Sequence, residues 1–395
     1  MLINKFLLII FLLLLAIPGN VSAAEPPDSL AEVNQETTDE FNVQEYDPAD
    51  DRYYQAVVTK IIDEIYDDDL LIPAIERFSQ LVEVKLLQGP KSGQTMELSY
   101  APGSTGNGDQ DLKVGEKILV VQTEQLGEEV HYIIDRYRIK SVVYLAIFFF
   151  ILVAAFTGWK GIRSIIGLGF TIAVIVFYIL PRIIEGGSPF ITFLIGGLII
   201  ALISIYLGHG FNRRTTLAVL STLITLIISI GVAIFAIKWA KMFGLGTEEA
   251  FYVQVGDLAT INLRGLLLGG IIIGILGVLD DVTTAQAATV EEIYKANNKL
   301  SFRELTKRGL SVGHEHIVSL VNTLALAYVG ASFPLLLLFK TQSYMPLWVT
   351  LNSERITEEI VRTLIGSSAL VIAVPITTYL AAYYFFRFGT ARVDK

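Results

Sequence analysis

Seven apolar stretches, each long enough to cross a bilayer, occupy most of the chain after residue 140: Val142 to Trp159, Ile165 to Leu180, Phe190 to Leu207, Leu217 to Ile237, Leu263 to Leu279, Ile317 to Phe339 and Ile360 to Phe386. A spanning helix needs about 20 mostly apolar residues, because lipid offers the backbone no hydrogen-bond partner but itself. The pattern therefore predicts a polytopic α-helical membrane protein. Composition agrees, with 53% hydrophobic and 17% charged residues, where a soluble domain holds roughly a quarter charged.

The first 24 residues read as a secretory signal peptide: Lys5 at a basic start, an apolar run from Phe6 to Ile17, a Pro18-Gly19 break, and a small-residue cleavage site at Val21-Ser22-Ala23 or Ser22-Ala23-Ala24. Residues 25–50 hold too few apolar side chains to offset ordering entropy and are expected to form a disordered acidic linker. The carboxylates from Glu25 to Asp51 precede Arg52, the first base in the stretch from residue 25, and account for the formal net charge of -9. The remainder is near neutral, so nothing suggests a nucleic-acid partner. With no cysteine, the chain has no disulfide, thiol nucleophile or Cys-ligated zinc.

Residues 51–140 change character. Short alternating runs (YQAVVTKII, QLVEVKLLQ, QTMELSY, EKILVVQT, EVHYIIDRY) are parted by GPKSG and APGSTGNGD. This predicts a small all-β, barrel-like domain, and the LKVGEKILV turn looks like those of OB-like domains. Since no aromatic or basic cluster marks a face, a folded spacer is favoured over a ligand-binding module. The signal peptide places this domain outside the cytoplasm. The first span then runs inward, and the inner connections carry Lys160, Arg163, Arg213, Arg214, Lys295, Lys299, Arg303, Lys307, Arg308, Arg387, Arg392 and Lys395. The positive-inside rule gives the same orientation, with the C-terminus cytoplasmic and the chain in the cytoplasmic membrane.

Over roughly residues 140 to 390 the chain resembles the YibE/YibF-like family of bacterial multipass membrane proteins, through GWKGIRSIIGLGF, FYILPRIIEGGSPF, LRGLLLGGIIIGILGVLDDVTTAQAATVEEI and VNTLALAYVG. The resemblance implies an integral membrane protein of poorly defined biochemical activity. His314-Glu315-His316 departs from the pattern expected of it.

The fifth span carries the most chemistry. Gly270, Gly274, Gly277, Asp281, Ala285 and Ala288 recur at helical spacing, a small-residue stripe on which the three glycines are expected to pack a neighbouring helix. Intramembrane carboxylates are costly and usually face a cavity or partner. Asp280 and Asp281 thus lead the site candidates, with Thr284 sharing their face; the competing reading makes them caps at the cytoplasmic interface. A cytoplasmic hairpin is expected over 282–314, with one helix ending at Asn297-Asn298 and a second, opened by a Ser301 to Glu304 capping box, stopped at Gly309. Glu315, Ser319 and Asn322 share a face of the sixth span and would meet Asp281 and Thr284 if spans five and six packed together.

Such a set of oxygens suits a proton, Na⁺ or a hard divalent cation. His314 and His316 lack the spacing of a zinc-protease helix. Adjacent aspartates point about 100° apart on a helix and form no proton-sharing dyad. Without a phosphate loop, nucleophile elbow or dinucleotide fingerprint, no enzyme is expected, and no cofactor beyond coupling to a proton or hard cation. Glycine pairs at Gly196-Gly197 and Gly269-Gly270 suggest a parallel repeat. The expected function is a secondary transporter or ion-coupled permease for a small solute or cation. The alternative is a membrane sensor or assembly scaffold working through the β domain. The partners expected are the lipid bilayer, a small solute or ion, and a second copy of the chain in a homo-oligomer.

Overall fold

The computed structural model describes residues 51–66, 78–101, 111–125, 128–256, 260–341 and 346–389. The expected signal peptide and acidic linker lie outside the described residues. The chain divides into two compact units between Phe149 and Phe150.

The first unit holds five antiparallel strands, β1 (Arg52–Tyr66), β2 (Phe78–Leu86), β3 (Thr95–Tyr100), β4 (Lys117–Gln125) and β5 (Glu128–Arg136), in the order β3-β2-β1-β4-β5. Period-two alternation buries Ala56, Val58, Val82, Val84, Leu86, Leu98, Leu112, Ile118 and Val120 in one core. The long β1 serves both halves: its start pairs with β4, and the rest pairs with β2. Register shifts between Val58 and Lys60 and between Ile61 and Asp63 bend it. The edge strands β3 and β5 approach one another, giving a half-barrel. Gln80 is fully buried within it because its amide oxygen accepts the Leu112 N–H at 2.7 Å, a bond that ties down the chain entering β4.

Among the described residues of the chain, six helices are long and apolar enough to span a membrane: α1 (Ile139–Thr157), α2 (Trp159–Ile184), α3 (Pro189–His209), α4 (Arg213–Trp239), α6 (Leu263–Ala296) and α10 (Glu354–Phe388). The shorter α5 (Glu248–Val255), the 30-residue α7 (Phe302–Ala331), α8 (Phe333–Thr341) and α9 (Leu347–Leu351) complete the order. Starts follow local chemistry. Asn212, Thr247, Asn262 and Ser301 cap α4, α5, α6 and α7, and Ser301 with Glu304 forms the expected capping box. A π turn at Ile175–Ile179 precedes Pro181, whose missing N–H loosens the ladder of α2.

Two expectations change. The stretch Ile317 to Phe339 is not one helix: it is divided at Ser332 between α7 and α8. His314, Glu315, His316 and Asn322 also make that half of α7 too polar to count among the six. Nor is 282–314 a hairpin of separate short helices. α6 runs unbroken through Ala296, and α7 runs past Gly309 to Ala331, leaving only residues 297–301 as the turn. Gly309 does not stop its helix because its bare Cα packs against Thr378 and Val290, where a Cβ would lie 2.9 and 3.0 Å from their methyl groups. Packing here overrides propensity.

In the helical unit α6 is the hub, touched by α3, α4, α7 and α10. Leu267, Ile271, Ile275, Leu279 and Val282 meet Leu226, Ile230, Ile365, Ala369 and Ala373 in its main core.

The β domain yields a pH prediction. Burial, then the nearby Lys91 charge, holds the His131 imidazole below its ordinary value, against a smaller opposing pull from Glu129. The unfolded chain therefore binds a proton that the fold does not. The His131 contribution to stability is flat above about pH 6.5 and falls as pH drops below it. In urea titrations of a fragment spanning residues 51–138, whose core closes on itself, His131→Gln is expected to flatten the decline between about pH 6.5 and 5. An unchanged slope would remove His131 as its source.

Candidate functional site

A seam of polar side chains runs through the interior of the bundle. On α4, Thr215, Ser221, Thr222, Thr225 and Ser229 are all buried; Thr222, Thr225 and Ser229 fall three and four residues apart, on one face. Also buried are Thr283, Thr284 and Gln286 on α6, of which Thr283 meets the α4 row, and Thr377 and Thr378 on α10. The Thr283 hydroxyl donates to the Leu279 carbonyl at 2.8 Å. Its single proton is thereby used, so in the 2.8 Å contact between the two hydroxyls Thr222 is the donor. The Gln286 amide nitrogen donates to the Gly309 carbonyl at 2.9 Å and to the Thr378 hydroxyl at 2.7 Å, joining α6 to α7 and α10.

Several buried oxygens on α4, α6 and α7 have no partner: Thr225 Oγ1, Ser229 Oγ, Asp280 Oδ1, Gln286 Oε1 and Thr306 Oγ1. A buried polar atom without a hydrogen bond costs about 1–3 kcal/mol. Native structures retain few of them, commonly where water, an ion or a ligand completes the set.

The expected site residues divide. Asp280 is half-buried and carries an unpartnered oxygen, whereas Asp281, a residue further round, is exposed. Asp281 interacts electrostatically with His209 at the end of α3, which also feels Arg214 and Lys160. The Thr284 hydroxyl donates to its own helix, to the carbonyls of Asp280 at 2.8 Å and Asp281 at 3.2 Å. Glu315, Ser319 and Asn322 are exposed on α7. They do not join Asp281 and Thr284 in a common buried set, because this half of α7 turns Ile317, Leu320, Val321 and Leu324 to the main core and leaves those three side chains exposed. Among the described residues no group of three His, Asp or Glu side chains is placed to hold a metal ion.

The packing glycines shift as well. Gly270 and Gly277 are exposed with open space beside them, and Gly274 has only the Tyr328 hydroxyl near. Close approach falls instead to Gly269, where a Cβ would collide with the Phe193 ring, and to Gly197, where it would lie 2.9 Å from Leu276.

Three features escaped the sequence reading. The hydroxyl stripe on α4 was visible as Ser and Thr at helical spacing in an apolar run. His209 carried no signal, since its link to Asp281 crosses between helices. Glu358, buried to 3% exposure, accepts the Gly246 N–H at 3.0 Å, beside Glu354, which accepts the N–H groups of Phe243, Gly244 and Leu245. These bonds span over a hundred residues of sequence and fasten the α4–α5 loop to the first turn of α10.

A half-barrel domain followed by apolar spanning helices with an internal polar seam defines a polytopic membrane protein. The model of the YibE/F-like protein family matches residues 145–387, more than half of the chain, and the chain belongs to that family. No curated protein and no solved structure matches it.

The seam predicts modest energetics. Interhelical hydrogen bonds in membranes average about 0.6 kcal/mol, so Gln286→Leu, which removes two, is expected to cost about 1 kcal/mol in reversible detergent unfolding, and Thr222→Val about half that. A loss beyond about 3 kcal/mol for Thr222→Val would show that packing strain, not the bond, was measured.

Proposed function

We propose that the chain is a membrane permease that passes a small polar solute or cation along the hydroxyl-lined seam between α4, α6 and α10, with Asp280 as its charged step. One observation carries this reading. Asp280 Oδ1, Thr225 Oγ1 and Ser229 Oγ are buried in an apolar bundle without partners, which is unfavourable for a purely structural helix pair and suits a path whose occupant supplies the missing bonds. The donor set is all oxygen and amide, so the occupant is a proton, a hard cation or a hydroxyl-bearing solute. Asp281, exposed beside His209, Arg214 and Lys160, would act at the mouth of this path.

The orientation that goes with this reading puts the α3–α4 and α6–α7 connections in the bacterial cytoplasm and the β domain outside. Glu315, Ser319 and Asn322, on the exposed face of α7, then have a secondary role.

Proton and Na⁺ flux into proteoliposomes tests the proposal. Asp280→Asn keeps the side-chain volume and is expected to lower flux at least tenfold while leaving insertion and unfolding temperature near those of the wild type. Thr225→Val and Ser229→Ala should lower it several-fold, and Glu315→Gln should not. Wild-type flux with unchanged pH dependence in folded Asp280→Asn would sink the reading and favour the sensor or scaffold role.

A further inference from the structure

At the end of the bundle where α4 begins, a cavity of about 690 Å³ opens between α4, α6 and α10, walled by Asn212, Arg213, Arg214, Glu291, Tyr294, Lys295, Asn298, Tyr384, Phe385 and Gly389. Its charged groups are three bases and one carboxylate. Lys295 is held between Glu292 at 2.8 Å and Glu291 at 3.2 Å, and Glu291 also reaches Arg214 at 3.5 Å. Arg213 makes no ion pair among the described residues; its guanidinium lies 5.9 Å from the centre of the Tyr384 ring. The first N–H groups of α4 open at the same place, and helix N-termini favour anions. The carbonyl ends of α6 and α10 also reach this region, but Lys295 and Arg387 stand in their last turns and offset them.

An independent observation marks the cavity as a site and not only a basic rim. Tyr294 is 7% exposed, and its hydroxyl is buried without a partner. It forms part of the cavity wall beside Gly389, where a Cβ would lie 2.8 Å from that hydroxyl. Buried tyrosine hydroxyls usually find a hydrogen-bond partner. A ligand accepting from Tyr294, Asn298 and the two arginines would supply it. The Tyr294 and Phe385 rings, stacked with centroids 6.0 Å apart, give the same cavity an apolar wall.

We infer that this cavity binds a phosphate monoester or phosphodiester carried on a small organic body, with Arg213 and Tyr294 as its principal donors. Guanidinium forks match phosphate oxygens in geometry and charge. The volume lies in the range of small-ligand sites, about 300–1,000 Å³, and exceeds the need of a bare ion. The same chemistry is presented by an anionic lipid headgroup and by a soluble phosphate compound. The inference is independent of the transport reading, since it uses none of the seam residues.

The test uses the full chain. Its thermal unfolding is titrated in detergent with sodium phosphate or glycerol phosphate against sodium chloride at equal ionic strength, and in parallel with phosphatidylglycerol against phosphatidylcholine. Stabilisation by the soluble phosphates identifies a soluble ligand; stabilisation by phosphatidylglycerol alone identifies a lipid headgroup. Either supports the site if Arg213→Gln raises the half-saturating concentration at least tenfold and Tyr294→Phe, which keeps the ring, raises it several-fold. Lys307→Gln, a base outside the cavity, should leave it unchanged. No selective stabilisation of the wild type, or equal weakening by Lys307→Gln, would overturn the inference.

Discussion

The face of a helix that packs against its neighbours cannot turn polar side chains to water, and α6 carries Thr283, Thr284 and Gln286, with half-buried Asp280 beside them, on the side covered by α3, α4, α7 and α10. Each polar atom must find a partner within the bundle or remain costly. Thr283 and Thr284 solve this locally by donating to their own helix, and Thr222 then gains a partner in Thr283. Gln286 is too long to fold back and bonds α7 and α10 instead. What these bonds leave over, the unpaired oxygens of Asp280, Thr225, Ser229, Gln286 and Thr306, is the part of the interior that local chemistry does not explain.

The architecture was legible because its signals are one-dimensional. Run length gives a span, alternation gives a strand, and Asn212, Asn262 and Ser301 mark helix starts through their own side chains. The choice of buried face is harder to read. In lipid the outward face of a helix is as apolar as the inward one, so the Gly270-Gly274-Gly277 stripe and the Gly265-Gly269 pair look alike in sequence. Only the position of Phe193 on α3 and of Pro189 and Phe190 at its start makes Gly269 and Gly265 the close contacts. The break in the seventh apolar stretch was hidden for a different reason. A sum of hydropathy over Ile317 to Phe339 does not register a change of helix at Ser332.

The site was partly legible for the same reasons. Asp280 and Asp281 stood out as carboxylates in an apolar run, but their different fates follow from a rotation of about 100°. That rotation leaves one half-buried and turns the other toward His209 and its basic neighbours. The carboxylates Glu354 and Glu358 had no comparable signal, because the N–H groups they accept belong to a loop on the far side of α5 and α6 in sequence.

The weakest turn of α10 lies where its links to the rest of the bundle are strongest. Pro375 has no N–H to offer the carbonyl four residues back, that of Val371, and its ring crowds the same group. An isolated helix would kink there. In this bundle the turn after the proline is reinforced from the side: Thr377 and Thr378 donate to the Ala373 and Val374 carbonyls at 2.8 and 2.7 Å, and the Gln286 amide donates to Thr378. Ala369, Ala373 and Ala381, all buried, keep the neighbouring backbones close enough for such bonds to form. Bending α10 at Pro375 would therefore break the Gln286 bond and disturb the α6–α7 contact at Gly309 in the same movement. The proline, the glycine and the glutamine act as one mechanical unit, placed within two turns of Asp280 along α6.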